Sequence, residues 1–387
     1  MKLLFLSQSL PYPIYKDGLT VRVYNLLKSL SNYVDIHLIS FGEHTLSSAE
    51  ESELRSFCTY NVIPFEFEGG VLGGIKKTVS PRRYYSQEFK HAVQSALNTY
   101  QPDAIFVEQT FMSQYVTEFR CLPKVMSSVD AISFSAFLQS ELEPSTIKSF
   151  LLKFLGAQRR FIEWYYFSKF TTITAVSSDD AYKLSSVVKQ DVKTIPNGVD
   201  SEFFSPIKYV DRDTLVFTGV LSNPGNEEAC LFLLDKVFPL IRDKLPKIKF
   251  VVAGRKPTAS LKSAIPDYVQ LMSDVDDLRD AFKNALCFLA PIDIGAGIKN
   301  NVLQAMAMGV PVLTNNLVAD AINMIDEETG FIENDRSKYC DRLIYLLSQM
   351  DQLEKVGLEG RQHVLKHFSW DSVALKYISL LESEIND

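Results

Sequence analysis

The strongest constraint on this chain is an alternation of short apolar runs with longer helical patterns, and the alternation runs twice. Residues 2–7 form an apolar run of strand length. Residues 20–31 follow, with Val23, Leu26, Leu27 and Leu30 on one helical face. Residues 34–41 and 62–67 read as strands and 87–100 as a helix. Residues 104–108, 124–127 and 171–176 read as further strands. The pattern then restarts: strands at 214–218, 248–253, 286–290 and 310–314, with helices at 227–244, 276–284 and 300–308 between them. Strands separated by helices build a parallel sheet covered on both faces. The fold class expected is therefore α/β, with two doubly wound domains, 1–205 and 206–370. They join near residues 197–208, where Pro196, Gly198 and Pro206 cluster. In such sheets ligands bind beyond the carboxyl ends of the strands, and a cleft between domains is a favoured site.

Composition narrows the partners. Hydrophobic residues make up 46% and charged residues 22%, which excludes a disordered tail, a collagen or a coiled coil. The net charge of −7 argues against nucleic acid as a partner. Up to Ser205 there are 20 Lys and Arg against 21 Asp and Glu, so the remainder carries −6 of that total. The five cysteines (Cys58, Cys121, Cys230, Cys287 and Cys340) lack zinc or redox spacing and read as buried, reduced thiols. The five histidines form no metal motif, so no metal site is expected. The opening MKLLFLSQSLPYP lacks the features of a signal peptide, and no apolar run is fit to span a membrane. The expected localisation is cytoplasmic.

The segment PIDIGAGIKNNVLQAMAMGVP (291–311) carries the clearest chemistry. A buried strand runs into a glycine loop, Gly295 to Gly297, and then into Lys299 and a helix capped by Asn300 or Asn301. Glycines let a phosphate approach the backbone, and a helix N-terminus offers free amides and positive dipole. The segment is either a diphosphate site or an ordinary strand–turn–helix whose glycines serve the turn. It is not a P-loop, whose spacing is absent.

This segment resembles the donor-binding motif of family 4 glycosyltransferases of the GT-B fold, in the polysaccharide-assembly branch that carries GAGIK. IPNGVD (195–200), FVVAGR (250–255), SDVDDL (273–278), FSWD (368–371) and PYP (11–13) with Asp17, Gly18 and Arg22 resemble further family segments, in the same order. The resemblance implies two Rossmann-like domains. The first, completed by a C-terminal helix at 371–387, binds the acceptor; the second binds a nucleotide-sugar. It also implies a retaining transfer without a metal ion or other cofactor, to a saccharide or lipid-linked acceptor. The leaving diphosphate is then neutralised by cations and helix dipole. Lys299 and Arg255 are the residues expected there, Arg255 having a surface salt bridge as its other reading. Gly219, Gly254, Gly295, Ala296, Gly297, Ile298, Asn300 and Gln304 are the donor-binding residues implied.

Three departures from the family pattern stand out. Where it commonly places two glutamates eight positions apart, this chain has Ala296 and Gln304. An amide accepts from a ribose diol only at its oxygen, and without charge, so donor affinity is expected to fall. After strand 214–218, the family's Gly-Arg and a following Lys are replaced in GVLSNPG (219–225). Asn226 next to it either caps the following helix or meets the donor. On the acceptor side, Asp130 either orients an acceptor hydroxyl or caps a helix. Arg22 either meets an acceptor phosphate or is an exposed helix arginine. Gly18 is expected to allow close approach at the first loop.

Residues 150–170 (FLLKFLGAQRRFIEWYYFSKF) are aromatic and basic. They form either a peripheral membrane contact of the first domain or a core helix with a solvated basic face. Arg82 and Arg83 beside Tyr84 and Tyr85 are a second patch of this kind. The expected function is a retaining glycosyltransferase of cell-surface polysaccharide assembly. The alternative is a catalytically silent GT-B protein that scaffolds a partner transferase.

Overall fold

In the computed structural model each half of the pattern becomes its own all-parallel sheet. The structure describes all residues except 15–16, 43–44, 66–82, 120, 207–211, 276, 295–296 and 387. The chain divides into two units: Met1–Gly198 with Val373–Asp387, and Val199–Ser372.

In the first unit, β1 (Lys2–Ser7) is followed by α1 (Gly18–Leu30), β2 (Asp35–Phe41), α2 (Ser48–Phe57), β3 (Thr59–Ile63) and α3 (Gln87–Thr99). Then come β4 (Ala104–Glu108), β5 (Lys124–Ser127), α4 (Ile132–Leu142), α5 (Thr146–Phe167), β6 (Thr172–Ala175), α6 (Ser178–Val188) and β7 (Val192–Thr194). The sheet order is β3-β2-β1-β4-β5-β6-β7. β1 lies between two neighbours and under helices, so Leu3, Leu4, Phe5 and Leu6 are all fully buried. Each such side chain contributes about 1.5–3 kcal/mol of transfer free energy. Asp17 caps α1 in a reciprocal box with Thr20, which fixes where the helix starts and turns Val23, Leu26, Leu27 and Leu30 inward.

The second unit holds β8 (Thr214–Val220), α7 (Pro224–Phe232), α8 (Phe238–Lys244), β9 (Lys249–Arg255), α9 (Ala259–Ala264), β10 (Val269–Ser273) and β11 (Ala285–Ala290). α10 (Asn300–Ala307), β12 (Val312–Thr314), α11 (Asn316–Ala319), β13 (Phe331–Ile332), α12 (Arg336–Leu347) and α13 (Met350–Phe368) complete it. Its sheet order is β10-β9-β8-β11-β12-β13. The last helix, α14 (Trp370–Asn386), buries Val373, Ala374, Tyr377 and Leu381 in the first unit. There the Tyr377 ring stands edge-on to Phe106 at 4.9 Å.

Several local expectations are corrected. The strand expected at 62–67 is β3, Thr59–Ile63, because its pairing with β2 runs from His37 and Thr59 to Phe41 and Ile63. β3 is an edge strand with no fully buried side chain, so its alternation is weak. The single helix expected at 227–244 starts at Pro224, capped by Asn223, and passes through a π turn at Leu233–Val237. Pro239 has no amide hydrogen to continue the ladder, and the Phe238 amide donates instead to Leu233, five residues back. Of the helix expected at 276–284, only a 3₁₀ turn, Leu278–Phe282, forms. Cys58, Cys230, Cys287 and Cys340 are buried as expected, but Cys121 is exposed; all five are free thiols.

Candidate donor and acceptor sites

Of the residues expected to bind a donor, Gly219 and Gly254 lie at the carboxyl ends of β8 and β9. Gly219 pairs in register with Gly254, and Val220 with Arg255. A Cβ on Gly254 would lie 1.8 Å from the Gly219 carbonyl oxygen, and one on Gly219 would lie 2.7 Å from Asn226 Nδ2. Gly254 is therefore required by the packing of the strand ends themselves, whereas at Gly219 the neighbour that would have to shift is the Asn226 side chain. Asn226 donates to the Val220 carbonyl at 3.1 Å, and Asn223 is the helix cap, so Asn226 does not have the capping role. The Arg255 side chain is exposed and makes no hydrogen bond or ion pair with the described residues, which removes the salt-bridge reading.

The motif helix α10 comes to the same place. Asn301 Nδ2 donates to the Thr218 carbonyl at 2.5 Å, fixing the helix start against β8. Neither Asn300 nor Asn301 caps it: the N-cap is Lys299, with no side-chain cap bond and no acidic residue in the first turn. No negative side chain in the first turn offsets the positive end of the helix, where Asn301 Oδ1 accepts from the Val302 amide at 3.1 Å. Lys299 is half-buried, and that burial lowers its ammonium pKa. Gly297 has φ 81°, in the left-handed region. Gly295 and Ala296 lie outside the described residues. Ile298 packs against the core of the unit, and Gln304 is half-buried one turn into α10.

A set of residues not singled out in the sequence holds the loop before this helix. Asn315, at the end of β12, donates to the Ile292 carbonyl at 3.0 Å and to Asp293 Oδ1 at 2.6 Å. Arg336 pairs with Asp293 at 2.6 Å and grips Glu228 of α7 with two nitrogens. The Glu228 hydrogen bond is the main cause of the raised Arg336 pKa, with burial opposing it. These residues come from three distant segments, so no local spacing announces them. Gly225, where the family lysine would stand, lies under this loop: a Cβ there would be 2.4 Å from the Ile294 carbonyl oxygen.

In the first unit, two non-glycine residues take positive φ just past the ends of adjacent central strands: Gln109 (77°) after β4 and Val129 (66°) after β5. For a β-branched residue such a conformation costs on the order of 1–3 kcal/mol, and such strain clusters at functional sites. Asp130 follows directly. It does not cap α4, whose N-cap Ala131 has no side-chain cap bond. Asp130 is exposed by area yet crowded enough that lost solvation, and then Asp180, raise its carboxyl pKa, with Arg22 opposing. The exposed area bears on whether a ligand reaches it, and the crowding on its acid strength.

Arg22 is a correction to both of its readings. It is 3% exposed. Its nitrogens donate to Glu108 (2.8 Å), Asn197 (2.5 Å), Ser127 (3.0 Å) and the Tyr377 hydroxyl (3.1 Å). It binds β4, β5, the 195–200 turn and α14 together from inside. Gly18 is open: among the described residues no atom lies within 4 Å of where a Cβ would be.

Residues 150–170 are not a core helix. α5 buries Leu155, Gly156, Ile162, Glu163 and Phe167, and exposes most of its other apolar residues. Of the second basic patch, Arg82 lies outside the described residues and Arg83 stacks over Tyr84 and Phe111. Among the described residues no cluster of three or more His, Cys, Asp or Glu is placed to hold a metal ion. No helix among them is long and apolar enough to cross a membrane.

The sequence model of the family described as "Glycosyl transferases group 1" matches residues 212–349. A Mycobacterium leprae phosphatidyl-myo-inositol mannosyltransferase is 24% identical over 205 residues, covering 50% of this chain and 54% of that protein. A Staphylococcus aureus capsular polysaccharide biosynthesis glycosyltransferase, CapM, is 29% identical over 162 residues, 38% of this chain and 42% of that one. The matched segment spans about half the length of the curated relatives, or less. The fold likeness runs further: Anabaena HepE, crystallised with UDP-glucose, superposes with a TM-score of 0.63 at 13% identity, over 99% of this chain and 100% of that one. Residues 212–349 thus carry the group 1 glycosyltransferase sequence pattern, and the chain as a whole, with its two doubly wound parallel sheets, has the GT-B fold.

Proposed function

We propose that this protein moves a sugar from a nucleoside-diphosphate sugar to a saccharide or lipid-linked glycan acceptor in cell-surface polysaccharide assembly, with retention and without a metal ion. The observation that carries the reading is the start of α10, where Lys299 precedes a helix end left without a side-chain cap or an acidic residue. Such an end stabilises the diphosphate as it leaves. The exposed, unpaired Arg255 at the end of β9 supplies a second cation. The acceptor hydroxyl attacks the anomeric carbon, the bond to the diphosphate oxygen breaks, and that oxygen takes the hydroxyl proton. Asp130, beside the strained Val129, orients the acceptor. The open face at Gly18 lies on the same unit, which also meets the membrane as a peripheral contact.

A thermal-shift series with UDP, GDP and their sugars tests donor binding, since a ligand of the native state raises the melting temperature. Binding of at least one, lost in Lys299→Ala by about tenfold or more in affinity, is expected. Turnover in the presence of EDTA, with the anomeric configuration of the product read by NMR, tests the metal-free and retaining parts. No binding of any nucleotide-sugar sinks the proposal.

The second reading, a silent scaffold, is favoured by Val220 and Gly225 standing where the family has cations, and by Gln304. It is distinguished by Gln304→Glu: tighter donor binding without turnover supports the scaffold, and any wild-type turnover excludes it.

A further inference from the structure

The hairpin of α4 and α5 inverts the ordinary rule for a surface helix. On α5 the buried face is narrow, and Gly156 brings it close to α4: a Cβ there would lie 2.8 Å from the Phe137 ring. Glu163 closes the pair by accepting from the Ser133 amide at 3.1 Å and from its hydroxyl at 2.5 Å. The opposite face is apolar. Ile147 (84% exposed), Phe150 (74%), Leu151, Phe154, Phe161, Trp164 (52%) and Tyr165 recur at spacings of three, four and, past Gln158, seven, which places them on one stripe. Leu138 and Leu142 of α4 are exposed as well. A soluble protein rarely leaves so continuous an apolar surface in water.

The charges beside the stripe are of one sign. Lys148, Lys153, Arg160 and Lys169 are exposed on or next to α5, and the one acid on that helix, Glu163, is buried. The hairpin's other acids are Glu141, in the last turn of α4 beside Leu138 and Leu142, and Glu143 just after that helix. At 22 residues α5 is about 33 Å long, but its four basic residues bar it from spanning a bilayer. An apolar stripe edged with Lys and Arg, with Trp and Tyr toward one end, suits a helix lying flat in the headgroup region. A second copy of the chain would set these basic residues against their equivalents.

We propose that the α4–α5 hairpin is a membrane-docking element that lays the Ile147–Tyr165 stripe into an anionic lipid surface. The proposal makes specific the membrane contact in the functional reading above, and it rests on that reading only for its biological purpose. It predicts that the protein reads anionic charge and apolar depth together, so neither alone suffices.

Trp164 gives a direct test. The chain has two tryptophans, and Trp370 is buried, so Trp164 is the one that responds to a surface. The full chain is mixed with phosphatidylcholine vesicles with and without phosphatidylglycerol. Expected are co-sedimentation and a blue shift of the emission with the anionic vesicles only, the shift being absent in Trp164→Phe. Phe150→Ser with Phe154→Ser removes binding. Lys153→Glu with Arg160→Glu weakens it by about tenfold or more. These positions are exposed, so the variants keep the wild-type melting temperature and UDP response. No co-sedimentation with anionic vesicles overturns the proposal. So does binding untouched by the stripe variants, or a wild-type dimer in solution that the stripe variants turn into monomer. Lipid binding with no response to any nucleotide leaves this proposal standing and removes the transferase reading.

Discussion

Arg22 shows how much one side chain can hold. Its guanidinium lies inside the first unit with Glu108, and the pair is fully screened from water. Breaking such a pair from one side leaves a buried charge alone, which costs about 3–5 kcal/mol. Arg22→Met is expected to lower stability by that amount in urea unfolding, and Arg22→Lys to rescue little, since an ammonium cannot reach four partners in a fork. Glu163 is the second case. Burial pushes its carboxyl up to about 7, while the hydrogen bonds from Ser133 pull the other way. The folded state therefore binds a proton that the unfolded state, near 4.5, has already lost. Its contribution is present in full below pH 4.5 and is lost as pH rises through 7. Glu163→Gln, whose oxygen accepts from the Ser133 amide while its Nε2 donates to the Ser133 hydroxyl, replaces the pair without charge and should be more stable than wild type at pH 8 by about 1–3 kcal/mol. The advantage should vanish near pH 5; equal stabilities at pH 8 would show that the carboxylate is well solvated after all. Neither residue was legible in advance. Arg22 sits on a helix whose apolar face was plain, but its partners are 86 to 355 positions away.

At the scale of elements, the strand ends of the second unit are built around absent side chains. Gly254 lets β9 close on β8, Gly219 leaves room for the Asn226 side chain, and Gly225 lets the 291–294 loop settle on the first turn of α7. The loss of the family lysine at Gly225 is thus coupled to the position of the loop before α10. Gly225→Lys restores the cation but drives its Cβ into the Ile294 carbonyl. The expected result is a lower melting temperature and weaker nucleotide binding than wild type; tighter binding would mean the loop yields freely. Asp293, Asn315, Glu228 and Arg336 hold that same loop, which is why the motif was readable while its support was not. Glycines and Lys299 are contiguous in sequence, whereas the brace is assembled from β12, α7 and α12.

For the molecule as a whole, the chain leaves its first unit at Gly198 and returns at Val373. The last helix supplies the first unit with Tyr377, whose hydroxyl meets Arg22 and Thr174, and with Leu381 and Val373 in its interior. Ending the chain at Ser372 should therefore damage the distant first unit more than the second, which lies nearer in sequence. In a Trp370→Phe background, Trp164 reports the first unit, and its unfolding midpoint should drop by about 10 °C or more. The response of the second unit to nucleotide should persist. An unchanged first unit would show that α14 is dispensable to it.

The sequence by itself determined the two parallel sheets, most of the central strands and the position of the GAGIK segment. Those features follow from local periodicity and from glycines and a lysine within a few residues of each other. It left open the caps, the edge strand β3, the π turn and the burial of Arg22. Above all it left open which face of α5 meets the protein. Periodicity marks an apolar stripe but not its direction, and the same Phe, Trp and Leu pattern serves a core or a surface. Only the packing decided that Glu163 faces inward and Phe150 faces out, because the partner of that helix, Ser133 on α4, had first to be put in place.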